Sequence, residues 1–454
     1  PKAVPQRIVN NKIRFGITAE DLTQRIKKFS PDLVGISGQF IAQQDDVLWV
    51  SKIVKEISPK VPVVVGGSVI YPEIYDVLKR ESTLDICAFG EGEETLLELV
   101  KWVRGEIKLK DIKGIIYKNK GKVIKNEKRQ WIFDIEKIPM PAYHLIDMNH
   151  YLELPKKGFF YRLKDTKRSI SLITSRGCPE NCCFCAVHYV SGKPWRAFSA
   201  EYVLDHIELL VRKYGVEQIH IEDDSFTLDM NRAHKIMDGI IERGLKFQWD
   251  TLNGVRADKL DESLIRKMKA AGCTRLCIAP EVGSQRVLDE IIDKRMSLKD
   301  VVEVSRICKE VGMPLQAFFM VGLPGETKQE LRQTIDFAKM LMRKYNVIVA
   351  TVLRATPYYG TRMYEEAKAK GYLKKDPTPD DFASSLSGSN IIIETEEFNK
   401  EYLDKLSREL IRASCVYSAV RYLKQPLKLL RRFRNPYLIK TAVMRFIKGS
   451  DITA

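Results

Sequence analysis

Between residues 169 and 353, short apolar segments alternate with longer segments that have helical spacing. The apolar segments predict six β-strands, at residues 169–174, 218–222, 246–252, 275–279, 315–321 and 347–353. Strands that alternate with amphipathic helices form parallel sheets, because each helix carries the chain back to the start of the next strand. The sequence therefore predicts an α/β fold with a partial (β/α)6 TIM-type barrel, whose chemistry lies at the carboxyl ends of the strands.

A shorter alternation of the same kind lies between residues 18 and 103. Predicted strands at 32–37, 61–67 and 85–89 alternate with helical patterns, which favours a Rossmann-like sheet. Glycines stand at the carboxyl ends of the second and third strands, where open sheets of this kind bind ligands. A bare backbone at these positions would let a ligand approach closely.

Two regions lack this alternation. Residues 106–165 contain an Asn-Lys-Gly hairpin signal at 119–121, and they predict a connector that carries a β-hairpin. Residues 371–454 have helical patterns, clearest at 398–422, and end in a basic tail. The predicted domains are 1–105 (Rossmann-like), 106–165 (connector), 166–370 (barrel) and 371–454 (helical).

Four of the nine cysteines lie within eight residues, at 178–185. An odd number of cysteines with one tight cluster is typical of metal binding or catalysis rather than of a secreted disulfide scaffold. The spacing Cys178-x3-Cys182-x2-Cys185 presents three thiolates, the usual ligands of iron–sulfur clusters. Three ligands for four irons leave one iron open, as a catalytic metal requires.

A structural zinc site is the alternative interpretation of this loop. It requires a fourth ligand, which Cys183 or His188 could supply. We favour the cluster because the loop follows the first predicted barrel strand, at the end where barrels carry out their chemistry. Cys183 is then expected to take no part in binding metal.

The cysteine loop resembles that of the radical S-adenosylmethionine superfamily, whose pattern is Cys-x3-Cys-x2-Cys. Segments after the later strands are similar to motifs of its cobalamin-binding branch: Glu-Asp-Asp-Ser-Phe (222–226), Asn-Gly-Val-Arg-Ala-Asp (253–258), Glu-Val-Gly-Ser (281–284), Gly-Leu-Pro-Gly-Glu-Thr (322–327) and Thr-Pro-Tyr-Tyr-Gly-Thr (356–361). The resemblance covers roughly residues 18–370. It implies a [4Fe–4S] cluster on Cys178, Cys182 and Cys185, which binds S-adenosylmethionine and cleaves it reductively to a 5′-deoxyadenosyl radical.

The resemblance also implies which side chains contact S-adenosylmethionine. Phe184, next to the last cysteine of the loop, is expected to pack near the adenine. Carboxylates at strand ends can hold an ammonium group or a ribose, and an arginine can face a carboxylate. The expected contacts are Glu222, Asp223, Asn253, Arg256, Glu281 and Ser284. The alternative for each acid is a helix cap or a surface ion pair, and the segment 322–326 could be a tight turn.

In the same branch the first domain binds cobalamin, through residues here expected to be Ser37, Gly66, Gly67, Gly90, Glu91 and Gly92. The first of the six histidines is His144, so this domain has none to bind cobalt, as in relatives that bind the corrinoid without one. Relatives usually begin with a further strand and a glycine-containing loop ahead of the segment 14–20. That piece is not evident, and the chain begins at Pro1, so we expect a processed or truncated chain. The alternative is a purely structural domain.

The resemblance implies an enzyme that methylates an unactivated carbon, with cobalamin as the methyl carrier. Related activities are the alternatives: a radical cyclase, an oxidase or a carbon–carbon coupling enzyme, on a tetrapyrrole or a lipid. An RNA methylthiotransferase would need a second cysteine triad near the amino terminus, and Cys87 stands alone there. We expect a small-molecule or lipid substrate, an electron donor such as ferredoxin or flavodoxin, and no nucleic acid.

Half of the net charge of +16 lies in residues 421–454, which contain nine Lys or Arg and one acid. Predicted short helices at 427–433 and 438–447 separate apolar from basic residues, as interfacial helices do. The alternative is a solvated face. No apolar run approaches the roughly 18 residues needed to span a bilayer. We expect a cytoplasmic enzyme, peripheral at the inner membrane surface through this tail, and a lipid-like substrate.

Overall fold

The computed structural model describes residues 4–7, 13–67, 74–80, 83–153, 168–349, 352–379, 381–382 and 393–423. The chain forms two compact units, one of Pro1–Ile132 with Thr378–Ala383 and one of Phe133–Pro377 with Ser384–Ala454. The helices predicted at 427–433 and 438–447 lie outside the described residues. Within the described part of the chain, no helix is both long enough and apolar enough to cross a bilayer.

The first unit opens with an antiparallel strand pair, β1 (Val4–Arg7) and β2 (Ile13–Gly16). A five-stranded sheet follows in chain order: β3 (Val34–Ser37), β4 (Val63–Gly66), β5 (Ile86–Ala88), β6 (Ile115–Asn119) and β7 (Lys122–Lys125). Its helices are α1 (Ala19–Phe29), α2 (Gln44–Ile57), α3 (Ile74–Arg80) and α4 (Glu93–Val103). Strands β3, β4 and β5 are parallel, as the βα alternation predicts.

The hairpin predicted within a connector, β6 and β7, extends this sheet instead. Lys120 and Gly121 have φ angles of +48° and +78°, as a two-residue hairpin turn requires. β6 pairs antiparallel with β5, so that Ile116 lies opposite Cys87 and both side chains are buried. Sequence alternation shows that a hairpin forms, but not which neighbouring strand it joins, because that depends on contacts distant in the chain.

The second unit contains six parallel strands in chain order: β8 (Ser169–Leu172), β11 (Gln218–Ile221), β12 (Gln248–Asp250), β13 (Cys273–Glu281), β14 (Leu315–Val321) and β15 (Val352–Arg354). A short antiparallel pair, β9 (Ser175–Arg176) and β10 (Arg196–Ala197), follows β8. The helices are α5 (Met148–Glu153), α6 (Val187–Val190), α7 (Ala200–Glu208), α8 (Met230–Glu242), α9 (Glu262–Ala270), α10 (Leu298–Val311), α11 (Lys328–Tyr345), α12 (Arg362–Ala369) and α13 (Lys400–Leu423). The predicted partial barrel is confirmed, and α13 shows the predicted helical character of the carboxyl-terminal region within its described residues.

Local signals fix several element ends. Thr327 and Glu330 form the predicted capping box that opens α11. Three barrel strands are shorter than predicted: β8 for 169–174, β11 for 218–222 and β12 for 246–252. Of the strand predicted at 347–353, the described residues show β15 and an isolated bridge between Ile348 and Gln316.

Alternate residues of the barrel strands point to opposite faces. Ile219, Trp249 and Ile278 are buried against the helices and belong to the main core cluster. His220 and Asp250, their neighbours in sequence, therefore lie on the concave face. Because parallel strands end at the same edge of the sheet, the segments that follow β8, β11 and β13 meet there, and this edge carries the predicted site.

Candidate functional site

The loop with the three predicted ligands follows β8 and β9. Cys178, Cys182 and Cys185 are half-buried, and none of them forms a disulfide. The Cys178 N–H donates to the Gly192 carbonyl at 3.2 Å, and the Cys185 N–H donates to the Cys182 carbonyl at 3.1 Å. These bonds hold three thiols on one closed loop.

Burial and neighbouring charges shift the pKa values of the three thiols. Burial raises the pKa of Cys182 to about 12 and that of Cys185 to about 11, and it also raises the pKa of Cys178. The charge of the neighbouring thiolates adds to the rise for Cys182 and Cys185. A bound metal instead lowers the pKa of a thiol, because its positive charge stabilises the thiolate.

The loop carries a thiol set of the kind that an iron–sulfur cluster uses. Among the residues that the structure describes, no group of three His, Cys, Asp or Glu side chains is arranged to hold a single metal ion. In a four-iron cluster each cysteine binds a different iron, so the sulfur atoms are spread around the cluster. Three free thiols on one loop supply the ligands for three of the four irons.

The residue between the ligands secures the loop to the barrel. Cys183 is 4% exposed and belongs to the main core cluster. Its N–H donates to the Ile292 carbonyl at 2.9 Å, and its carbonyl accepts from the Met363 N–H at 3.0 Å. Phe184 is half-buried and packs against the same core, and His188 lies on the short helix α6.

Arg256 uses its guanidinium on groups of the protein. It donates to the Asp258 carboxylate at 2.9 and 3.0 Å, and to the Lys294 and Arg295 carbonyls at 2.8 and 2.9 Å. It also pairs with Glu180, within the cysteine loop, at 3.0 Å. The carboxylates that Arg256 faces in this structure therefore come from Asp258 and Glu180.

Three of the expected contacts meet at the end of β11. The Glu222 carboxylate accepts from the Ser171 hydroxyl at 2.7 Å, on the concave face. The Asn253 amide donates to the Glu222 carbonyl at 2.8 Å, which joins the segments after β11 and β12. The Asp223 side chain, by contrast, is buried and accepts from Thr174, just ahead of the cysteine loop.

Glu281 ends β13 in a left-handed conformation, with φ +67°. Its carboxylate accepts from the Lys294 ammonium group at 2.6 Å, and both side chains are about nine-tenths buried. Lys294 also donates to the Ala279 carbonyl at 2.5 Å. The charge of Lys294 lowers the pKa of Cys182 and that of Glu281 raises it, although burial is the larger influence. A strained acid, a buried lysine and the predicted ligand Cys182 thus lie together.

Ser284 belongs to a polar network of the protein. Its hydroxyl donates to the Glu330 carboxylate at 3.1 Å, and Arg286 donates to both oxygens of that carboxylate at 2.6 Å. The hydrogen bonds from Arg286 lower the pKa of Glu330 to about 2. Nearby, Glu326 accepts from two backbone N–H groups of its own segment at 2.7 Å, so the segment 322–326 forms the tight turn given as its alternative.

In the first unit, Gly67 requires the absence of a side chain. Its φ is +89°, and a Cβ atom there would lie 2.5 Å from the Gly38 carbonyl oxygen. The Gly38 N–H in turn donates to the Gly66 carbonyl at 2.9 Å. Ser37 is exposed beside them at the end of β3. The ends of β3 and β4 thus form a cradle of bare backbone, whose shape is held by the close approach of Gly38 and Gly67.

The residues of the predicted glycine segment 90–92 have different roles. Gly90 has φ +83° and no atom within 4 Å of its Cβ position, and Gly92 is the N-cap of α4. Glu91 is buried, and its carboxylate accepts from the Ile132 N–H at 2.7 Å. Glu91 therefore bonds to the protein, and the two glycines keep the strand end open.

Family comparisons agree with both units. The radical SAM superfamily matches residues 172–338, and the B12 binding domain matches residues 9–100. An uncharacterized methyltransferase of Pyrococcus horikoshii is 35% identical over 359 residues, which are 79% of this chain and 74% of the relative. The chain belongs to the cobalamin-binding radical S-adenosylmethionine enzymes.

Other members of these enzymes resemble it along most of its length. The cytidylyl-2-hydroxyethylphosphonate methyltransferase of Streptomyces wedmorensis is 28% identical over 390 residues, 80% of this chain and 71% of the relative. The radical S-adenosylmethionine methyltransferase TsrM of Kitasatospora setae has the same fold, with a TM-score of 0.67 at 16% identity, over 87% of this chain and 80% of that one. The predicted enzyme class and its cofactors, a [4Fe–4S] cluster, S-adenosylmethionine and cobalamin, are confirmed. Which side chains hold each cofactor stays a prediction.

Sequence reasoning missed four residues of this cobalamin-binding radical enzyme. Gly38 follows its strand as Gly67 does, so the repeated position was a usable signal. Glu180 lies inside the cysteine motif and Asp224 lies beside Asp223, so both were visible as acids near the loop. Lys294 carried no signal, because a buried lysine and an exposed one look alike in sequence.

Replacing Gly67 by alanine should weaken cobalamin binding. The added Cβ would meet the Gly38 carbonyl and force the left-handed backbone to shift, at about 1–3 kcal/mol. We expect Gly67→Ala to lose cobalamin during anaerobic gel filtration, measured by corrin absorbance. Gly105→Ala is the matched control, since Gly105 has φ +78° but open space around its Cβ position. Equal cobalamin retention by both variants would contradict the cradle.

Proposed function

We propose that this enzyme transfers a methyl group to an unactivated carbon. The observation that carries the proposal is the set of three free thiols, Cys178, Cys182 and Cys185, beside the Glu281–Lys294 pair at the barrel edge. When bound, the cluster supplies the electron that cleaves S-adenosylmethionine to a radical, and cobalamin supplies the methyl group. An electron donor such as ferredoxin or flavodoxin is part of the proposal.

The residues of the chain have separate tasks in this proposal. Glu222 and Asn253, joined at the edge of the sheet, orient S-adenosylmethionine, and so does Glu281 with Lys294. Phe184 lines the adenine. The side chains of the other three expected contacts, Asp223, Arg256 and Ser284, each make two or more hydrogen bonds to protein groups, and we assign them to holding the site's shape.

The substrate is proposed to bind on the concave face of the barrel. There the Asp250 carboxylate contacts His220 Nδ1 at 2.7 Å and accepts from Arg275 at 3.0 Å. His220 Nε2 is buried and has no hydrogen-bond partner among the described residues. Buried polar atoms are normally paired, so a polar group of the substrate or a water is expected beside it.

A lipid-like substrate remains part of the proposal. Ile173 lies directly after β8 and is 53% exposed, and Leu353 lies in β15 and is 42% exposed. We propose that these apolar side chains contact hydrocarbon parts of the substrate. The polar group beside His220 would then be the substrate's head.

Methyl transfer can be tested before the substrate is known. Protein reconstituted anaerobically with iron, sulfide and cobalamin should convert S-adenosylmethionine to S-adenosylhomocysteine under reduction, because reloading the methyl carrier consumes that cofactor. Without added cobalamin, only 5′-deoxyadenosine should form. Both products are quantified by liquid chromatography. If cobalamin leaves S-adenosylhomocysteine at background while 5′-deoxyadenosine accumulates, methyl transfer fails and a cyclase or oxidase is favoured.

The same assay distinguishes the substrate classes. Deuterated methyl groups of S-adenosylmethionine, supplied with a cell extract, should appear in the lipid fraction by mass spectrometry. Label that depends on this enzyme and appears only in water-soluble products would support methyl transfer but end the proposal of a lipid-like substrate.

A further inference from the structure

Three consecutive acids follow β11, and their side chains diverge. Glu222 contacts Ser171 on the concave face. Asp223 and Asp224 instead contact the segment that leads from β8 into Cys178. Adjacent residues at a strand end point in different directions, so one short acidic run can serve several tasks.

Asp224 contacts both ends of the cysteine loop. Its carboxylate accepts from the Gly177 N–H at 3.0 Å, directly before Cys178, and it is hydrogen-bonded to the Ser191 side chain, directly after α6. The Arg196 guanidinium donates to the Ser191 carbonyl at 2.6 Å on the same side. Asp224 therefore joins residues 177 and 191, the two ends of the cysteine loop. We call this joined pair of loop ends the neck.

The neck is tightly packed around Gly177. Its φ is +86°, and a Cβ atom there would lie 2.3 Å from the Pro194 carbonyl oxygen and 2.9 Å from that of Gly192. Only glycine can occupy position 177 without a steric clash. The hydrogen bond to Asp224 fixes the Gly177 N–H group, one residue before Cys178. Loss of this bond would therefore directly affect the position of Cys178, the first predicted ligand.

Asp223 holds the preceding residues. Its carboxylate accepts from the Thr174 N–H at 2.5 Å, the Thr174 hydroxyl at 2.6 Å and the Ser175 hydroxyl at 2.6 Å. Arg232, also buried, donates to the Thr174 carbonyl at 2.7 Å and balances the charge. Burial raises the pKa of Asp223 and of Asp224, so their placement is costly and depends on these bonds.

We infer that Asp223 and Asp224 are positioning residues that hold the neck of the cysteine loop, so that Cys178 is presented to the cluster together with Cys182 and Cys185. The inference rests on the proposal that these three cysteines bind the cluster. Groups that orient metal ligands affect metal retention strongly, and their loss typically costs ten- to a hundredfold in affinity. Asp224 is the sharper case, because Asp223 also neutralises buried Arg232.

The test is iron release from the anaerobically reconstituted enzyme to a ferrous chelator. Asp224→Ala should release iron roughly ten- to a hundredfold faster than wild type, since the Gly177 N–H loses its acceptor. Asp224→Asn should stay close to wild type, because its carbonyl accepts the same bond. Equally fast release by both variants would overturn the inference.

Asp261→Ala is the matched control for a general loss of stability. Asp261 caps α9 by accepting from the Leu264 N–H at 2.7 Å, outside the neck. Asp261→Ala should lower the melting temperature but should not release iron faster than wild type. Equal rates of iron release by Asp261→Ala and Asp224→Ala would refute a positioning role for Asp224. At matched cluster content, S-adenosylmethionine affinity, read from the paramagnetic spectrum, should be unchanged in Asp224→Ala. A large loss of affinity would instead make Asp224 a cofactor ligand.

The underlying proposal fails separately. If the triple alanine variant of Cys178, Cys182 and Cys185 keeps its iron, the cluster assignment itself is wrong. If that variant loses iron but Asp224→Ala keeps it as firmly as wild type, only the positioning role is wrong.

Discussion

Replacing Cys178, Cys182 and Cys185 together by alanine should abolish iron binding and reductive formation of 5′-deoxyadenosine. We expect no other thiolate of this loop to replace them, because Cys183 is buried in the barrel core. Without a cluster there is no electron path to S-adenosylmethionine, so activity should fall to background. Iron content, the visible absorbance of the reconstituted protein and 5′-deoxyadenosine yield measure the three consequences.

Cys183→Ala is the control from the same loop. It removes one buried sulfur, at roughly 1–2 kcal/mol of stability, and leaves the backbone bonds to Ile292 and Met363 in place. This variant should therefore keep its iron and most of its activity. If Cys183→Ala lost as much iron as the triple variant, iron binding would depend on the packing of the loop rather than on ligation by the three cysteines.

Lys294→Met should destabilise the barrel unit by about 3–5 kcal/mol, because it leaves the buried Glu281 carboxylate without its partner. The same change should weaken S-adenosylmethionine binding, since Glu281 and Cys182 both lie next to this lysine. Urea unfolding followed by tryptophan fluorescence under anaerobic conditions measures the first effect. The paramagnetic spectrum of the cluster during titration with S-adenosylmethionine measures the second.

Lys267→Met makes the same chemical change in an exposed ion pair. Lys267 contacts Asp238 at 2.7 Å, and the two side chains are 36% and 41% exposed. Exposed pairs contribute about 0–1 kcal/mol, so this variant should unfold close to wild type. The double variant Lys294→Met with Glu281→Gln should recover much of the lost stability, because it removes both buried charges. If Lys294→Met costs no more than Lys267→Met, the buried pair is not what stabilises this edge.

Some structural features depend on residues close together in the chain and were predictable, whereas others depend on residues far apart. The capping box at Thr327 was predictable, because it spans three residues of one helix end. The hairpin turn at Lys120 and Gly121 was predictable for the same reason. The sheet that this hairpin joins was not predictable. Ile116 pairs with Cys87, and no local sequence pattern encodes which strand becomes the neighbour of another in the sheet.

The acids after β11 show the same division at the site. Their residue type and their place at a strand end were visible in sequence, and this led us to expect Asp223 on the cofactor. The structure brings Asp223 to Thr174, 49 residues earlier in the chain, and its contact with the cofactor stays a prediction. A carboxylate suits an ammonium group, a hydroxyl or a backbone N–H equally well, so its chemistry alone cannot select among them.

The sequence by itself determined the two βα alternations and the three-cysteine loop, because each is a periodicity or a spacing along a short stretch of chain. The resemblance of that loop and of the later motifs to known enzymes indicated the family. Only the tertiary structure decided that Glu281 pairs with buried Lys294, that Arg256 reaches Glu180, and that Gly38 confronts Gly67. These contacts depend on strand register and on which strand ends share an edge. Residues distant in the chain become neighbours only when the sheet has closed.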